Sequence, residues 1–317
     1  MKYLRSVLFA SLFSLLFISC SKDDVDIPQE PLGTTRYNSL IVESANMTSN
    51  VRYGSSTTQG GVQLELRMDI YQPEGDPETN RPLVILAHGG GFFGGDKADM
   101  QELANFLARS GYVVASISYR IIDVEPNNSV MLRSVIDAVF DMKAAVRFLR
   151  NDANNGNTYG IDSSKIFVGG YSAGAFTALH YAYLSSEAEV ATVGGSELFD
   201  YVNQNGGLEG SSGTPGVSSG ITGVINIAGA LKTVSLINAG EPALYSVHGT
   251  NDEVVPFLEG ESDNSGVTTE GSGLIHPVLD QLGIANQLRE ISGGDHGAFY
   301  ECQDCQAELR AFIFSQL

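Results

Sequence analysis

Ile166-Phe167-Val168-Gly169-Gly170-Tyr171-Ser172-Ala173-Gly174-Ala175-Phe176-Thr177-Ala178-Leu179 decides how the rest of the chain is read. Its first residues are a short apolar run, the pattern of a strand buried on both faces. The run breaks at Gly170-Tyr171-Ser172-Ala173-Gly174 and resumes with a helix-compatible composition. Strand, turn and helix in that order are the context a G-x-S-x-G elbow requires. In so tight a turn a side chain at either flank would strike its neighbours, so glycine suits positions 170 and 174. Ser172 is then raised clear of the sheet at a helix N-terminus, whose free N–H groups and positive end favour a forming anion.

The pattern alone is weak in a chain with 36 glycines. Gly216-Val217-Ser218-Ser219-Gly220 matches it too, but follows no strand and leads into a strand instead of a helix. Ser218 is therefore read as a loop serine and Ser172 as the candidate nucleophile.

Working outward, Leu83-Val84-Ile85-Leu86-Ala87 and Tyr112-Val113-Val114-Ala115-Ser116-Ile117-Ser118-Tyr119 read as buried strands. Further strands are expected at 223–228, 243–248 and about 287–292. Val62-Gln63-Leu64-Glu65-Leu66-Arg67-Met68-Asp69-Ile70 alternates, as an antiparallel strand with one solvated face does. Helices are expected near 97–110, 130–151, 276–284 and 303–315. Residues 186–220 are Gly/Ser-rich and read as an excursion over the top of the sheet, with room for one short helix. Alternating strands and helices imply an α/β domain, its mostly parallel sheet of about eight strands covered on both faces, with a small cap excursion.

The 317 residues carry a formal charge of −19 and are 43% hydrophobic. Residues 1–19 contain Lys2 and Arg5; without them 16 basic residues face 37 acidic ones, a net charge near −21. No basic stripe is available to displace counterions, so nucleic acid is not an expected partner. Lys2 and Arg5 precede an apolar run from Ser6 to Ser19, too short to span a bilayer but right for a signal segment. It ends in Leu16-Phe17-Ile18-Ser19-Cys20, which resembles the lipobox of bacterial lipoproteins, where the cysteine is acylated. An ordinary cleaved signal peptide is the alternative. Ser21-Lys22-Asp23-Asp24-Val25-Asp26 resembles the acidic tag of some surface-exposed Gram-negative lipoproteins, and otherwise reads as a solvated tether. The expected organisation is a signal peptide at 1–19, a tether at 20–35 and one catalytic domain at 36–317. The expected location is exported and lipid-anchored through Cys20 in the outer membrane, with the periplasmic and the cell-surface face both open as alternatives. Cys302 and Cys305 remain, and in an exported protein C-x-x-C reads first as a short disulfide, with free thiols or a redox role as alternatives.

A serine needs a base to take its proton, and the base needs an acid to hold its tautomer. Asp252 follows the strand Leu244-Tyr245-Ser246-Val247-His248, and His296 follows the strand ending near Ile291. Both stand in loops at strand C-termini, in the chain order Ser, Asp, His. Glu253 and Asp263 are spare carboxylates. His180, His248 and His276 read as packing residues or as lacking the right context. His88-Gly89-Gly90-Gly91-Phe92 follows a buried strand. Three glycines let the backbone curl so that the amides of Gly90 and Gly91, with that of Ala173, can hold an oxyanion. His88 is expected to anchor this loop.

Together these residues resemble the α/β-hydrolase esterases with an HGGG oxyanion loop, the hormone-sensitive-lipase-like group, and most of all its feruloyl and acetyl esterase-like branch. The loop His88-Gly89-Gly90-Gly91-Phe92-Phe93-Gly94-Gly95-Asp96-Lys97, Ser118-Tyr119-Arg120, the elbow, His248-Gly249-Thr250-Asn251-Asp252 and Gly294-Asp295-His296-Gly297 match in order. The resemblance implies a serine carboxylesterase using Ser172, Asp252 and His296, without metal or organic cofactor or obligate protein partner. It would act on a small ester or an acylated glycan. Phe92 stands where the family often has Trp, and the chain has no Trp at all. Phe92, Phe93, Tyr171 and Phe299 are then the candidate pocket aromatics, with Tyr300 as a further stacking surface. A prolyl-oligopeptidase-like peptidase is an alternative, but lacks the HGGG loop and usually carries a propeller for which there is no room. A retired binding scaffold would usually have lost a triad member.

Overall fold

The computed structural model describes residues 30–262 and 265–317. The signal segment, Cys20, Asp263 and most of the expected tether lie outside them. Leu32–Leu317 forms one compact unit. In chain order it contains β1 (Ala45–Thr57), β2 (Gln63–Pro73), β3 (Arg81–Ala87), α1 (Gln101–Arg109), β4 (Val113–Ile117), α2 (Asn128–Asn154), β5 (Ile161–Tyr171) and α3 (Ala173–Tyr183). There follow α4 (Glu187–Gln204), β6 (Gly223–Ile227), β7 (Ala230–Leu231), β8 (Ala243–Gly249), β9 (Glu259–Glu261), β10 (Thr268–Gly271), α5 (Ser272–Leu282), β11 (Asn286–Ile291), α6 (Ala298–Glu301) and α7 (Cys305–Ser315).

Eight strands form one sheet in the order β1-β2-β4-β3-β5-β6-β8-β11. The pairs from β4 to β11 are parallel, and β1 and β2 are antiparallel additions. The period-two rule explains how so apolar a sheet is satisfied. Leu83, Ile85 and Ala87 of β3 enter one core, while Val84 and Leu86 enter the other. β5 divides likewise, with Ile166 and Val168 to one side and Phe167 to the opposite side. Helices α2 and α3 cover the first face through residues such as Ala138, Met142 and Leu179. Helices α1 and α7 cover the second through Leu103, Leu107, Leu309 and Ile313. Each fully buried aliphatic side chain contributes roughly 1.5–3 kcal/mol, so both covering layers are required. This is the α/β-hydrolase fold.

Two elements differ from expectation. Residues 186–220 carry not a short helix but the 18-residue α4. Gly194 and Gly195 depart from helical geometry and kink it, which displaces the apolar positions Val190, Val193, Leu198 and Val202 from a single helical period. Its N-terminal signal was nevertheless present, because Ser186 and Glu189 form a reciprocal capping box. The second difference is a three-stranded sheet, β7-β10-β9, beside the main one. Its strands of two to four residues are too short to show alternation.

Candidate active site

The elbow is forced by contacts between backbones. A Cβ on Gly174 would lie 2.1 Å from the Ala87 carbonyl oxygen, and one on Gly170 would lie 2.4 Å from the same atom. Only glycine lets β5, the turn and α3 pass so close to the end of β3. Ser172 itself has φ 54° and ψ −119°. A non-glycine residue held there costs on the order of 1–3 kcal/mol. Its N–H is bonded to the Ile227 carbonyl at 2.9 Å, and its carbonyl accepts from the Phe176 N–H in the first turn of α3.

Asp252 and His296 come from loops after β8 and β11, which pair in parallel, so their C-terminal ends lie side by side. The loops are bonded to each other: Thr250 N–H to Ile291 O, Asn251 N–H to Gly294 O, and Gly293 N–H to the Thr250 hydroxyl. His296 Nδ1 lies 2.7 Å from Asp252 Oδ2, and His296 Nε2 lies 3.0 Å from Ser172 Oγ. The three side chains therefore form one hydrogen-bonded line. With Nδ1–H donated to the carboxylate, Nε2 presents a lone pair to the hydroxyl. Burial pushes the Asp252 carboxyl up, but the polar contact of His248, the hydrogen bond of His296 and the Val255 amide together hold it well below the usual carboxylate range. Oδ1 accepts from the N–H groups of Val254 and Val255. Tyr171 steadies the His296 loop: its ring lies 5.0 Å from the imidazole and its hydroxyl donates to the His296 carbonyl.

The loop after β3 has left-handed backbone at Gly90, Gly91 and Phe92 (φ 102°, 61° and 67°). Successive residues of this hand turn neighbouring N–H groups toward one concavity. Those of Gly90 and Gly91 meet no backbone acceptor among the described residues. Ala173 opens α3, so its N–H has no intrahelical acceptor either. All three residues line the same cavity as Ser172 and His296. His88 is fully buried and stacks on Tyr119 at 4.3 Å. Its Nδ1 bonds the Gly89 carbonyl, and the Tyr119 hydroxyl donates to the His88 carbonyl. Burial lowers the pKa of the His88 imidazole, which favours the neutral ring. The neighbouring Arg120 is clamped by Asp141 and Asp137 of α2, which fixes Tyr119 and so the loop.

The cavity has a volume of about 730 Å³. One wall is apolar, built from Met131, Leu132 and Val135 of α2 with Phe176, Val254 and Val255. Polar residues complete the lining: Asn127 and Asn128 at the start of α2, and Glu261, Ser262, Ser265 and Thr269 from the β9–β10 segment. Phe92, Phe93 and Tyr171 are among the residues that line it. Phe299 is not: α6 turns it into the core shared with Cys305 and Phe312, where it is 4% exposed. The expected helix near 130–151 supplies this wall, but which of its apolar residues meet the cavity and which meet the core is set by tertiary placement. His248 also differs from expectation. It is buried in β8, but its Nε2 lies 3.2 Å from Asp252 Oδ2. Ser218 stays in its loop, where its carbonyl accepts from Arg150. Cys302 and Cys305 are joined as a disulfide.

Residues 68–206 match the BD-FAE family model. The match takes in the His88–Phe92 loop and the elbow but ends before Asp252 and His296. The chain is 28% identical over 230 residues to a protein of Oryza sativa subsp. japonica described as "Probable isoprenylcysteine alpha-carbonyl methylesterase ICMEL1". That alignment covers 64% of this chain and 50% of the plant protein, so the chain spans about half the length of that relative. Among solved structures, Thermogutta terrifontis esterase 2 phosphorylated by paraoxon is similar at 21% identity and a TM-score of 0.59, over 89% of this chain and 95% of that one. A truncated carbohydrate esterase from gut microbiota is similar at 20% identity and a TM-score of 0.59, over 86% of this chain and 96% of that one. At such identity these structures speak for the fold, which agrees with the strand order described above. The chain thus has the α/β-hydrolase fold, and its residues 68–206 are similar to the BD-FAE family.

Proposed function

We propose that this protein is a serine carboxylesterase that works through an acyl-enzyme. The observation that carries the reading is the bonded line Asp252–His296–Ser172, whose Ser172 and His296 line one mainly apolar cavity together with Gly90, Gly91 and Ala173, residues whose N–H groups have no acceptor among the described residues. Ser172 Oγ attacks the ester carbonyl carbon as His296 Nε2 takes the hydroxyl proton. The carbonyl oxygen gains the charge and is held by the N–H groups of Gly90, Gly91 and Ala173, each such donor being worth about 3 kcal/mol of barrier. Asp252 stabilises the imidazolium without taking its proton. His296 then protonates the departing alkoxide, and water repeats the sequence to release the acid.

The cavity supports an acyl or aryl group against the Met131–Leu132–Val135 wall and a hydroxylated alcohol against the polar lining residues. That division suits acetyl or feruloyl groups carried on a polysaccharide. Phe93, half exposed at the mouth, offers the stacking surface that Trp would otherwise supply. The leader and Cys20 support export and lipid anchoring, for which palmitate labelling of wild type and Cys20→Ala is the check. The activity is tested with p-nitrophenyl acetate, by a pre-steady-state burst equal to one product per active site. Ser172→Ala should abolish both burst and turnover; wild-type rates in that variant would refute the reading. A panel of acetyl, butyryl and longer aryl esters, acetylated xylan and methyl ferulate then ranks substrates.

A further inference from the structure

The carboxylate of Asp252 has a second histidine against it. His248 lies in β8, is 1% exposed, and directs Nε2 at the Val255 carbonyl at 3.0 Å and at Asp252 Oδ2 at 3.2 Å. Asp252 Oδ2 is the same oxygen that holds His296 Nδ1. Two acceptors on one side place the ring proton on Nε2, so Nδ1 needs a donor. Ser272 Oγ stands 2.9 Å from Nδ1 at the start of α5. That hydroxyl already accepts from Asn226 Nδ2 at 3.1 Å, which leaves its own hydrogen for the imidazole. Asn226 is fixed in turn by the Gly229 N–H and the Ser246 hydroxyl.

The network thus runs from β6 through α5 and β8 to Asp252, all of it buried. The Val255 carbonyl belongs to the turn whose N–H groups hold Asp252 Oδ1. His248 therefore grips that turn from one side and the carboxylate from another. Asp252 is the charged group in contact with its ring, which also meets the Ser272 hydroxyl, the Val255 carbonyl and, T-shaped, the Phe257 ring, while Glu290 of β11 pairs with it across the sheet and is exposed. Any buried imidazole must have its ring nitrogens satisfied, as those of His180 are by Phe176 O and the Lys232 N–H; what sets His248 apart is that one of its partners is the carboxylate oxygen that holds His296.

We infer that His248, oriented by Ser272 and Asn226, is a positioning residue that fixes the Asp252 carboxylate on the line to His296. It touches no reacting atom and acts through Asp252. The inference rests on the esterase reading above. Without the grip, Asp252 can rotate or shift by a fraction of an ångström, and misplacement on the 1 Å scale costs about 100-fold in such sites.

The test is a double-mutant cycle on kcat and KM for p-nitrophenyl acetate at high enzyme concentration, with thermal unfolding as the folding control. His248→Phe should lower kcat about 10- to 100-fold and leave KM within about threefold. His248→Gln, whose amide N–H reaches toward the same acceptors, should recover part of that loss. Placed on Asp252→Asn, His248→Phe should cost no more than about twofold, because its target is already lost. If His248→Phe does not fold, Ser272→Ala and His248→Gln carry the same cycle, with smaller losses that again vanish on Asp252→Asn. The inference is overturned if these variants keep wild-type kcat, or if their losses multiply with that of Asp252→Asn. If Asp252→Asn and Ser172→Ala themselves stay active, the esterase reading has failed instead.

Discussion

Gly174→Ala is the sharpest probe of the elbow. The added Cβ would stand 2.1 Å from Ala87 O, 2.5 Å from Ala87 C and 2.7 Å from His88 O. Ordinary contact begins near 3.4 Å, so about 1.3 Å must be recovered, and every atom in the way is backbone. No rotamer can relieve it; either the first turn of α3 or the junction of β3 with the Gly90–Gly91 loop must move. Both motions separate Ser172 from the N–H groups that would hold the oxyanion. A 1 Å misplacement corresponds to about 100-fold in rate. Overpacking of this kind also destabilises by about 1–3 kcal/mol, a loss of several degrees in Tm for a domain of this size. Burst amplitude and rate with p-nitrophenyl acetate, with a thermal melt of the same sample, read both effects. Gly94→Ala is the control, since its Cβ meets nothing within 4 Å. A Gly174→Ala protein with wild-type burst rate and Tm would refute the reasoning.

Other perturbations separate the parts of the site. Asp252→Asn should lower kcat by about 10⁴ with little change in KM, as loss of the tautomer-holding acid does in such triads; a loss under tenfold would contradict its role. The same carboxyl is held below its ordinary range, so its stabilisation is complete above about pH 4, where the unfolded group ionises, and is lost as pH falls through the folded value. The urea midpoint of wild type should therefore exceed that of Asp252→Asn at pH 6, with the gap narrowing by pH 3; a gap that widens would be the wrong sign. Ser172→Gly should abolish turnover yet raise stability by about 1 kcal/mol, because glycine tolerates the backbone angles that strain serine; a lower Tm would count against strain at this residue. Cys302→Ser with Cys305→Ser opens a cross-link of four residues worth about 2 kcal/mol, so Tm should fall by a few degrees while kcat stays within about twofold. Unchanged Tm would show that the disulfide adds nothing.

Much of the fold was legible because its central strands are continuous apolar runs bounded by turns. Leu83–Ala87 and Ile166–Val168 could hardly be anything but buried strands, and once they are parallel neighbours the loops at their ends must meet. Ser172, Asp252 and His296 were each nameable from their position after a strand, and the structure brings them into contact. What was hidden depended on tertiary placement. α4 lost its period at Gly194–Gly195, and the short strands β7, β9 and β10 carried too few residues to show one. Phe299 sat three residues from His296, and sequence distance gave no clue that one turn of α6 points it into the core. His248 read as a strand residue, which it is, but its partners Ser272 and Asn226 come from elements far along the chain.

The most direct test is covalent. Wild-type protein treated with an alkyl fluorophosphonate should gain one adduct mass, mapped by peptide sequencing to Ser172, and lose all esterase activity in proportion. An adduct on Ser218 or another residue, or full activity in a protein quantitatively modified at Ser172, would contradict the assignment of the nucleophile and the mechanism built on it.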